Sequence, residues 1–184
     1  MKYNLVPNHD PLLSTPTEYF DFDNPPVDPV ELFEDMKVTM LYEKGVGLAA
    51  PQVGLPYSMF VFGYMDDDKS ITAVFNPKIV DISNDNVLAE EGCLSYPGIF
   101  LQVKRPSSCR VRFADQNGVI QTKSLSGYEA RAFLHEYDHI LGKTFISKVS
   151  PVKLDRARKE KKKLDKIRKK NRLAVKKSLT KGKN

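Results

Sequence analysis

The sequence predicts an α+β fold in which mainly antiparallel sheets surround a central helix, with a basic helix at the C-terminus. Three observations support this fold class. Short β-like runs fill the middle of the chain, apolar residues recur at helical spacing on either side of them, and lysine and arginine dominate residues 151–184. A chain of 184 residues is about one domain with an appendage. We therefore assign residues 1–150 to one folded domain and residues 151–184 to a basic helix or tail.

Turn and helix signals organise the first fifty residues. Prolines interrupt the first thirty, and apolar side chains then recur at helical spacing from Pro29 to about Lys44. Pro29 near the start of this segment and Gly45 just past its end match the usual residues of helix termini. We predict a first helix that covers a core with one face.

Strand signals follow, and then two further helices. The Asn117-Gly118 pair predicts a tight hairpin turn between the last two strands. A second helix is predicted from Tyr128 to about Leu141, with Gly142 as its C-terminal stop. A third, very basic helix is predicted from Pro151 to about Leu179. The β-like runs span residues 58–64, 71–75, 78–82, 108–113 and 119–124.

The net charge of +6 conceals an acidic body and a basic tail. Residues 151–184 contain 16 Lys or Arg and 3 acids, for a charge of +13, whereas residues 1–150 carry −7. This asymmetry indicates a polyanionic partner for the tail alone. No apolar stretch approaches the roughly 18 to 20 residues of a membrane helix, so no membrane association is expected.

The two cysteines, Cys93 and Cys109, bear on the compartment of the protein. The N-terminus has no apolar segment typical of a secretory signal. In a reducing compartment, cysteines are more often free, catalytic or bound to metal than paired in a disulfide. We therefore expect a cytoplasmic protein.

The segment His135-Glu136-Tyr137-Asp138-His139 is the sharpest chemical signal. A spacing of four residues puts both imidazoles on one helix face, so that both can reach one metal ion. Glu136 lies beside them, where it can act on a water molecule bound to that metal. The alternative is a helix whose two histidines are exposed or satisfied in the core.

A catalytic centre of this type usually needs a third protein ligand. No histidine follows His139, and the acids that do follow it stand among lysines, where a carboxylate is solvated or paired. We therefore look upstream and select Cys93, because a thiolate is a strong ligand for Zn²⁺ or Fe²⁺. The alternative for Cys93 is a small buried core residue, which is also our interpretation of Cys109. These residues indicate metal-dependent hydrolysis.

Three segments together resemble the signature motifs of peptide deformylases, in the same order along the chain. The resemblance extends over about residues 10–150. It implies an enzyme that removes the formyl group from the N-terminal formyl-methionine of nascent polypeptides and releases formate, with residues 1–150 as its catalytic domain. The motifs are Gly45-Val46-Gly47-Leu48-Ala49-Ala50-Pro51-Gln52, Glu91-Gly92-Cys93-Leu94-Ser95 and His135-Glu136-Tyr137-Asp138-His139.

The resemblance also implies roles for individual residues. One divalent metal ion would be held by Cys93, His135 and His139, with Fe(II) as the native metal and Zn(II), Ni(II) or Co(II) as substitutes. Glu136 would carry the proton from water to the departing amine. The Gln52 side-chain amide and the Leu94 backbone N–H would stabilise the charge on the formyl oxygen.

The substrate pocket is implied less directly. Gly45 would give a backbone contact where a side chain would crowd the substrate, and Arg105 would lie next to the substrate or behind the ligands. Tyr128 and Ala132, with Tyr137, would form walls of the methionine pocket. The chain departs from the family pattern in two places: Phe100 stands where many relatives have an arginine, and Leu134 where they have a glutamine.

Ribosomal RNA is the expected partner of the basic tail, because some bacterial members of this family dock on the ribosome through such a helix. A bacterial, organellar or phage-encoded origin would fit. The main alternative from another class is a nucleic-acid- or ribosome-binding protein with a structural metal. A metalloprotease is disfavoured because no good ligand follows His139.

Overall fold

The computed structural model describes residues 1–64, 67 and 70–181, of which residues 174–181 are described as helix backbone only. The three helices are α1 (Pro29–Tyr42), α2 (Gly127–Ile140) and α3 (Pro151–Lys181). The seven strands in these ranges are β1 (Gly47–Ala49), β2 (Met59–Phe62), β3 (Thr72–Ile82), β4 (Asn86–Glu91), β5 (Leu101–Pro106), β6 (Ser108–Ala114) and β7 (Ile120–Ser126).

The strands form two antiparallel sheets. The larger sheet has the order β1-β2-β3-β6-β7, and the smaller one pairs β4 with β5. Helix α2 contacts four strands of the large sheet and also β5 of the small one. The α+β class, with mainly antiparallel sheets around a central helix and a further helix at the C-terminus, is therefore confirmed.

Strand β2 is buried along its whole length and divides the core in two. Alternate side chains of a strand point to opposite faces. Met59 and Val61 accordingly join the cluster under α1, whereas Phe60 and Phe62 join the cluster under α2. The fully buried ring of Phe133 on α2 lies 5.1 Å from the Phe60 ring and 5.7 Å from the Phe62 ring. These contacts fix α2 against the large sheet.

The predicted ends of the first two helices agree with the structure to within two residues. Helix α1 begins at Pro29, behind an Asp28 side chain that accepts hydrogen bonds from two backbone N–H groups of the first turn. Past the end of α2, Gly142 adopts a positive φ of 64°, a conformation that favours glycine. Gly118 likewise has a positive φ, in the hairpin turn between β6 and β7.

The strands differ from the prediction in three ways, the first of which is that the three-residue strand β1 was not predicted. The runs at 71–75 and 78–82 are one strand, β3, because Asn76 absorbs the irregularity with a φ of 50° and its side chain bonds the backbone of Phe20. The small sheet was not predicted. Most of β4 is solvent-exposed, so it has no run of apolar residues to identify it.

Helix α3 docks on the domain only through its first turns. Leu154 and Ala157 pack against a third cluster, which contains Tyr96, Ile99, Leu101, Val103 and Phe145. Further along the helix the apolar side chains of Leu164, Ile167 and Leu173 are exposed. Within the described ranges, no helix combines the length and apolar character needed to cross a bilayer.

Candidate metal centre

Helix α2 and the segment after β4 bring three metal-binding side chains together. His135 and His139 lie one turn apart on α2, and Cys93 follows the end of β4 by two residues. The donor atoms of the three side chains all lie within 4.8 Å of one another, and the Cys93 Sγ is 3.3 Å from the His139 Nε2. Two imidazoles and a thiolate are a donor set that suits Zn²⁺ or Fe²⁺. The residues present therefore fit one divalent metal ion.

Glu91 orients one of the ligands from behind. Its Oε2 lies 3.0 Å from the His135 Nδ1, which leaves the Nε2 of that ring for a metal. Arg105 donates to both carboxylate oxygens of Glu91, over 2.6 Å and 2.9 Å. Burial alone would raise the pKa of Glu91, but the hydrogen bonds from His135 and Arg105 lower it to about 2. Glu91 is therefore a carboxylate near neutral pH.

Arg105 takes the second of its two expected placements, behind the proposed ligands. Its guanidinium is buried and also donates to the Asp138 carboxylate over 2.8 Å and to the Leu134 carbonyl over 3.1 Å. These hydrogen bonds occupy the guanidinium inside the protein, and Arg105 does not line the cavity beside Cys93 and His135. The expectation of a substrate contact is corrected: Arg105 supports the ligand helix through Glu91 and Asp138.

Glu136 is buried next to the ligands. The closest side-chain atoms of Glu136 would overlap a Cβ atom added to Gly47, so the carboxylate packs directly on the glycine backbone. Its Oε2 has no hydrogen-bond partner among the described residues. Burial raises the pKa of Glu136 to about 7. This carboxyl group can therefore accept or release a proton near neutral pH.

The two histidines differ in the metal-free protein. Burial lowers the pKa of His139 to about 3, so its ring is neutral and can bind a metal without losing a proton. Burial also opposes charge on His135, but hydrogen bonds to Cys93 and Glu91 outweigh it and raise the pKa of His135 to about 10. Metal binding would therefore displace a proton from His135.

Gln52 directs its amide NH₂ group at the ligand cysteine. It lies in a short 3₁₀ turn, Ala50–Val53, and its Oε1 accepts from the Ala49 N–H over 2.8 Å. This bond fixes the amide, whose Nε2 donates to the Ser95 Oγ over 3.0 Å and lies 3.4 Å from the Cys93 Sγ. The Leu94 backbone follows directly after Cys93, so both expected oxyanion donors are beside the metal ligand.

A cavity of about 500 Å³ opens onto these groups. Gly45, Tyr128 and Ala132 contribute to it as expected, and so does Phe100, whose ring lies against Gly92. Leu134 is buried in the core under α2 and does not line the cavity. The other lining residues nearest the ligand donors are Gly47, Gln52, Glu91, Leu94, Arg131 and Glu136.

Three residues near the centre were not assigned from the sequence. Glu91 and Ser95 lie two residues before and after Cys93 in its motif. Polar side chains this close to a proposed ligand could have indicated a supporting role. Arg131 lies one turn before His135 on the same helix face, where it lines the cavity. Only the folded structure shows that its acceptors are on β4 and β5.

The α+β fold and a cysteine–histidine–histidine group beside a carboxyl group of raised pKa define a metal-binding hydrolase. Residues 2–155 match the family model of polypeptide deformylase. The chain belongs to the peptide deformylase family. It therefore removes the N-formyl group from formyl-methionyl nascent peptides, as the sequence motifs predict, and this family is metal-dependent.

Named relatives and solved structures agree with this assignment. The chain is 44% identical to a peptide deformylase of Thermotoga petrophila over 120 residues, which are 65% of this chain and 71% of the relative. It is 39% identical to that of Cytophaga hutchinsonii over 158 residues, 83% and 85% of the two chains. The peptide deformylase of Synechococcus elongatus in complex with actinonin superposes with a TM-score of 0.81 at 32% identity, over 86% of this chain and 87% of that one.

Proposed function

We propose that Cys93, His135 and His139 hold one divalent metal ion, natively Fe(II), at which Glu136, Gln52 and Leu94 catalyse deformylation. The observation that carries this proposal is the meeting of three donors within 4.8 Å of one another, beside a cavity that Cys93, His135 and Glu136 line. An ion held there acts as a Lewis acid and makes water acidic enough to lose a proton near neutral pH. Zn(II), Ni(II) or Co(II) can take the same place, because the donor set discriminates weakly among them.

Glu136 serves as the proton carrier. Its carboxylate accepts a proton from the attacking water and delivers it to the amine that leaves. A carrier works best when its pKa is near the operating pH, and burial raises the pKa of Glu136 to about 7. Its unpartnered Oε2 is free to take the proton, and its contact with Gly47 limits where the carboxylate can move.

Gln52 and Leu94 stabilise the negative charge that develops on the formyl oxygen. The amide of Gln52 is held by Ala49 and Ser95, and its Nε2 also lies 3.4 Å from the Cys93 Sγ, so the amide stands beside the proposed metal ligand before a substrate arrives. The backbone N–H of Leu94 is the second donor, because Leu94 directly follows Cys93 and lines the cavity. Two fixed donors at one oxygen favour the transition state over the substrate.

The substrate methionine occupies the cavity. Tyr128 and Ala132 form part of its wall, and the cavity as a whole has mixed polar and apolar character. A side chain at Gly45 would come within 2.8 Å of the Leu94 side chain, so glycine there keeps the oxyanion donor in place and leaves room for a peptide.

The test is anaerobic purification followed by measurement of metal content and of formate release from a formyl-Met peptide on the same sample. We expect Glu136→Gln to lower formate release by roughly 10²- to 10⁴-fold at unchanged metal content. Glu129→Gln, an exposed carboxylate of the same helix, is the matched control and should behave as the wild type. Formate release that survives Glu136→Gln would contradict the proposed mechanism.

We also propose a cytoplasmic location and docking of the basic helix α3 on ribosomal RNA. The supporting observation is that nearly all of the described basic side chains of α3 are exposed, and that its last described contact with the domain is that of Lys161 with Gly98. A cationic helix releases counterions when it binds a polyphosphate, so binding should weaken steeply with salt.

The test of this docking is a chain that ends after Lys161, because Leu154 and Ala157 fill a core cluster and a cut at Pro151 would open it. We expect the shortened chain to keep its activity on a short formyl-Met peptide and to lose co-sedimentation with ribosomes. Undiminished co-sedimentation, or binding of the full chain that is insensitive to salt, would contradict the proposal.

A further inference from the structure

We propose that Arg131 is a positioning residue that holds Cys93 against helix α2 and thereby sets the affinity of the metal centre. This inference rests on the proposed metal ligands. It concerns a side chain that binds none of the ligands directly and that acts through Glu91 and the small sheet.

Arg131 joins three acceptors on the two strands of the small sheet. Its Nη1 donates to the Glu91 Oε1 over 2.6 Å and to the Val103 carbonyl over 3.0 Å, and its Nη2 donates to the Val87 carbonyl over 2.7 Å. Val87 is in β4 and Val103 is in β5, whereas Arg131 is on α2. One guanidinium therefore ties the ligand helix to both strands of the small sheet.

This connection matters because the metal ligands come from the two sides that it joins. Cys93 leaves the end of β4, and both histidines are on α2. A two-stranded sheet is marginally stable on its own, so its distance from α2 depends on the contacts between them. The planar guanidinium presents donors in a rigid arrangement and keeps this distance more strictly than a flexible contact would.

Arg131 and Arg105 act on the same carboxylate from different elements. Arg105 is on β5 and holds Glu91 while bonding Asp138 and the Leu134 carbonyl of α2. Arg131 approaches Glu91 from α2 and completes the hydrogen bonding of the Oε1 atom. Glu91 in turn contacts the His135 Nδ1. A substitution of Arg131 would therefore affect His135 through Glu91 and Cys93 through β4.

The experiment compares zinc binding by the full chain and by Arg131→Met and Arg131→Lys variants. Zinc affinity is measured by competition with a chelator, and the melting temperature is measured with zinc and without metal. Loss of an orienting partner behind a metal ligand typically costs 10- to 100-fold in affinity. We expect a loss of at least about tenfold for Arg131→Met, which corresponds to about 1.4 kcal/mol, and a smaller loss for Arg131→Lys.

The melting temperatures separate positioning from a general effect on folding. If Arg131 positions the ligands, the difference between the zinc-loaded and metal-free melting temperatures shrinks in Arg131→Met. Arg112→Met, an exposed arginine on β6, is the control and should leave both affinity and this difference unchanged. Arg131→Lys, which keeps the charge, carries the test should Arg131→Met fail to fold.

Two results would overturn the inference. Unchanged zinc affinity in a folded Arg131 variant, with both melting temperatures lowered equally, would make Arg131 an ordinary structural contact. Failure of the wild-type chain to bind zinc in a way that Cys93→Ser abolishes would instead remove the proposed metal site, and this inference with it.

Discussion

The carboxyl group of Glu136 is held where its ionisation is unfavourable. It is buried, its Oε2 has no partner among the described residues, and its pKa rises from an ordinary 4.5 to about 7. The folded metal-free protein therefore holds this proton more tightly than the unfolded chain does. The resulting stabilisation is fully present below about pH 4.5 and is lost as the pH rises to about 7.

This linkage predicts a pH-dependent stability difference between the metal-free wild type and Glu136→Gln. Glutamine cannot ionise, so the variant should gain stability relative to the wild type as the pH rises from about 4.5 to about 7. The gain is about 1.4 kcal/mol for each unit by which the folded pKa exceeds the unfolded one. Urea unfolding at several pH values measures it. Parallel stability curves for the two proteins would contradict the prediction.

At the level of single residues, local motifs predicted the three donors that the fold brings together but not the residues that support them. His135 and His139 share a helix face at a spacing that the sequence displays directly. By contrast, the roles of Glu91 and Arg131 depend on contacts between distant parts of the chain. Glu91 is 40 residues from Arg131 and 44 residues from His135 in the sequence. The placement of Arg105 was left open between the substrate and the ligands, because a sequence shows a cation but not which carboxylates neutralise it.

At the level of elements, the close approach of β1 to α2 determines the position of the Glu136 carboxyl group. A Cβ atom at Gly47 would overlap the Glu136 Oε1, far inside any permitted contact. Gly47 is on β1 and Glu136 is on α2, so glycine here leaves room for the Glu136 side chain between strand and helix. Glycine is needed here because it has no side chain. Its backbone conformation does not require glycine, because its φ is not positive.

This contact predicts that Gly47→Ala displaces Glu136 without disturbing the metal ligands. A displacement of about 1 Å at a catalytic group can cost on the order of 10²-fold in rate. We expect a loss of that size in formate release, with zinc bound in the same amount as by the wild type. Metal analysis and a peptide assay on one preparation measure both. Wild-type activity in Gly47→Ala would show that the carboxylate does not need this position.

Elements were predictable where one face is buried and the other exposed over several turns. Helix α2 has such a pattern, and both of its ends were predicted to within about a residue. Strand β4 has mostly exposed side chains and β1 has only three residues, so neither produces a period that can be recognised. These strands exist because their neighbours supply backbone partners, and a local pattern does not contain that information.

At the scale of the whole molecule, a metal ion would connect parts of the chain that are distant in sequence. Cys93 and the two histidines are 42 and 46 residues apart, on either side of the junction between the small sheet and α2. A ligand that binds only the folded state stabilises it according to its concentration relative to its Kd. The metal therefore contributes to folding as well as to chemistry.

Metal removal is accordingly expected to lower the melting temperature. With zinc at 100 times its Kd, the stabilisation is about 2.7 kcal/mol. Scanning calorimetry of the zinc-loaded and metal-free protein measures it, and Cys93→Ser is the control that should show no difference between the two conditions. Equal melting temperatures in the wild type would mean that the three donors hold no metal in the folded state.

Strand β2 links the two halves of the active site through the core. One set of its alternate side chains packs in the cluster under α1, and the other set packs in the cluster under α2. Both clusters depend on the register of β2, since a shift by one residue would exchange the two sets. We therefore expect the turn that carries Gln52 and the helix that carries the histidines to lose their structure in one cooperative step. Amide hydrogens of Phe60 and Val61 should exchange with solvent only through global unfolding, so the protein keeps either the whole catalytic apparatus or none of it.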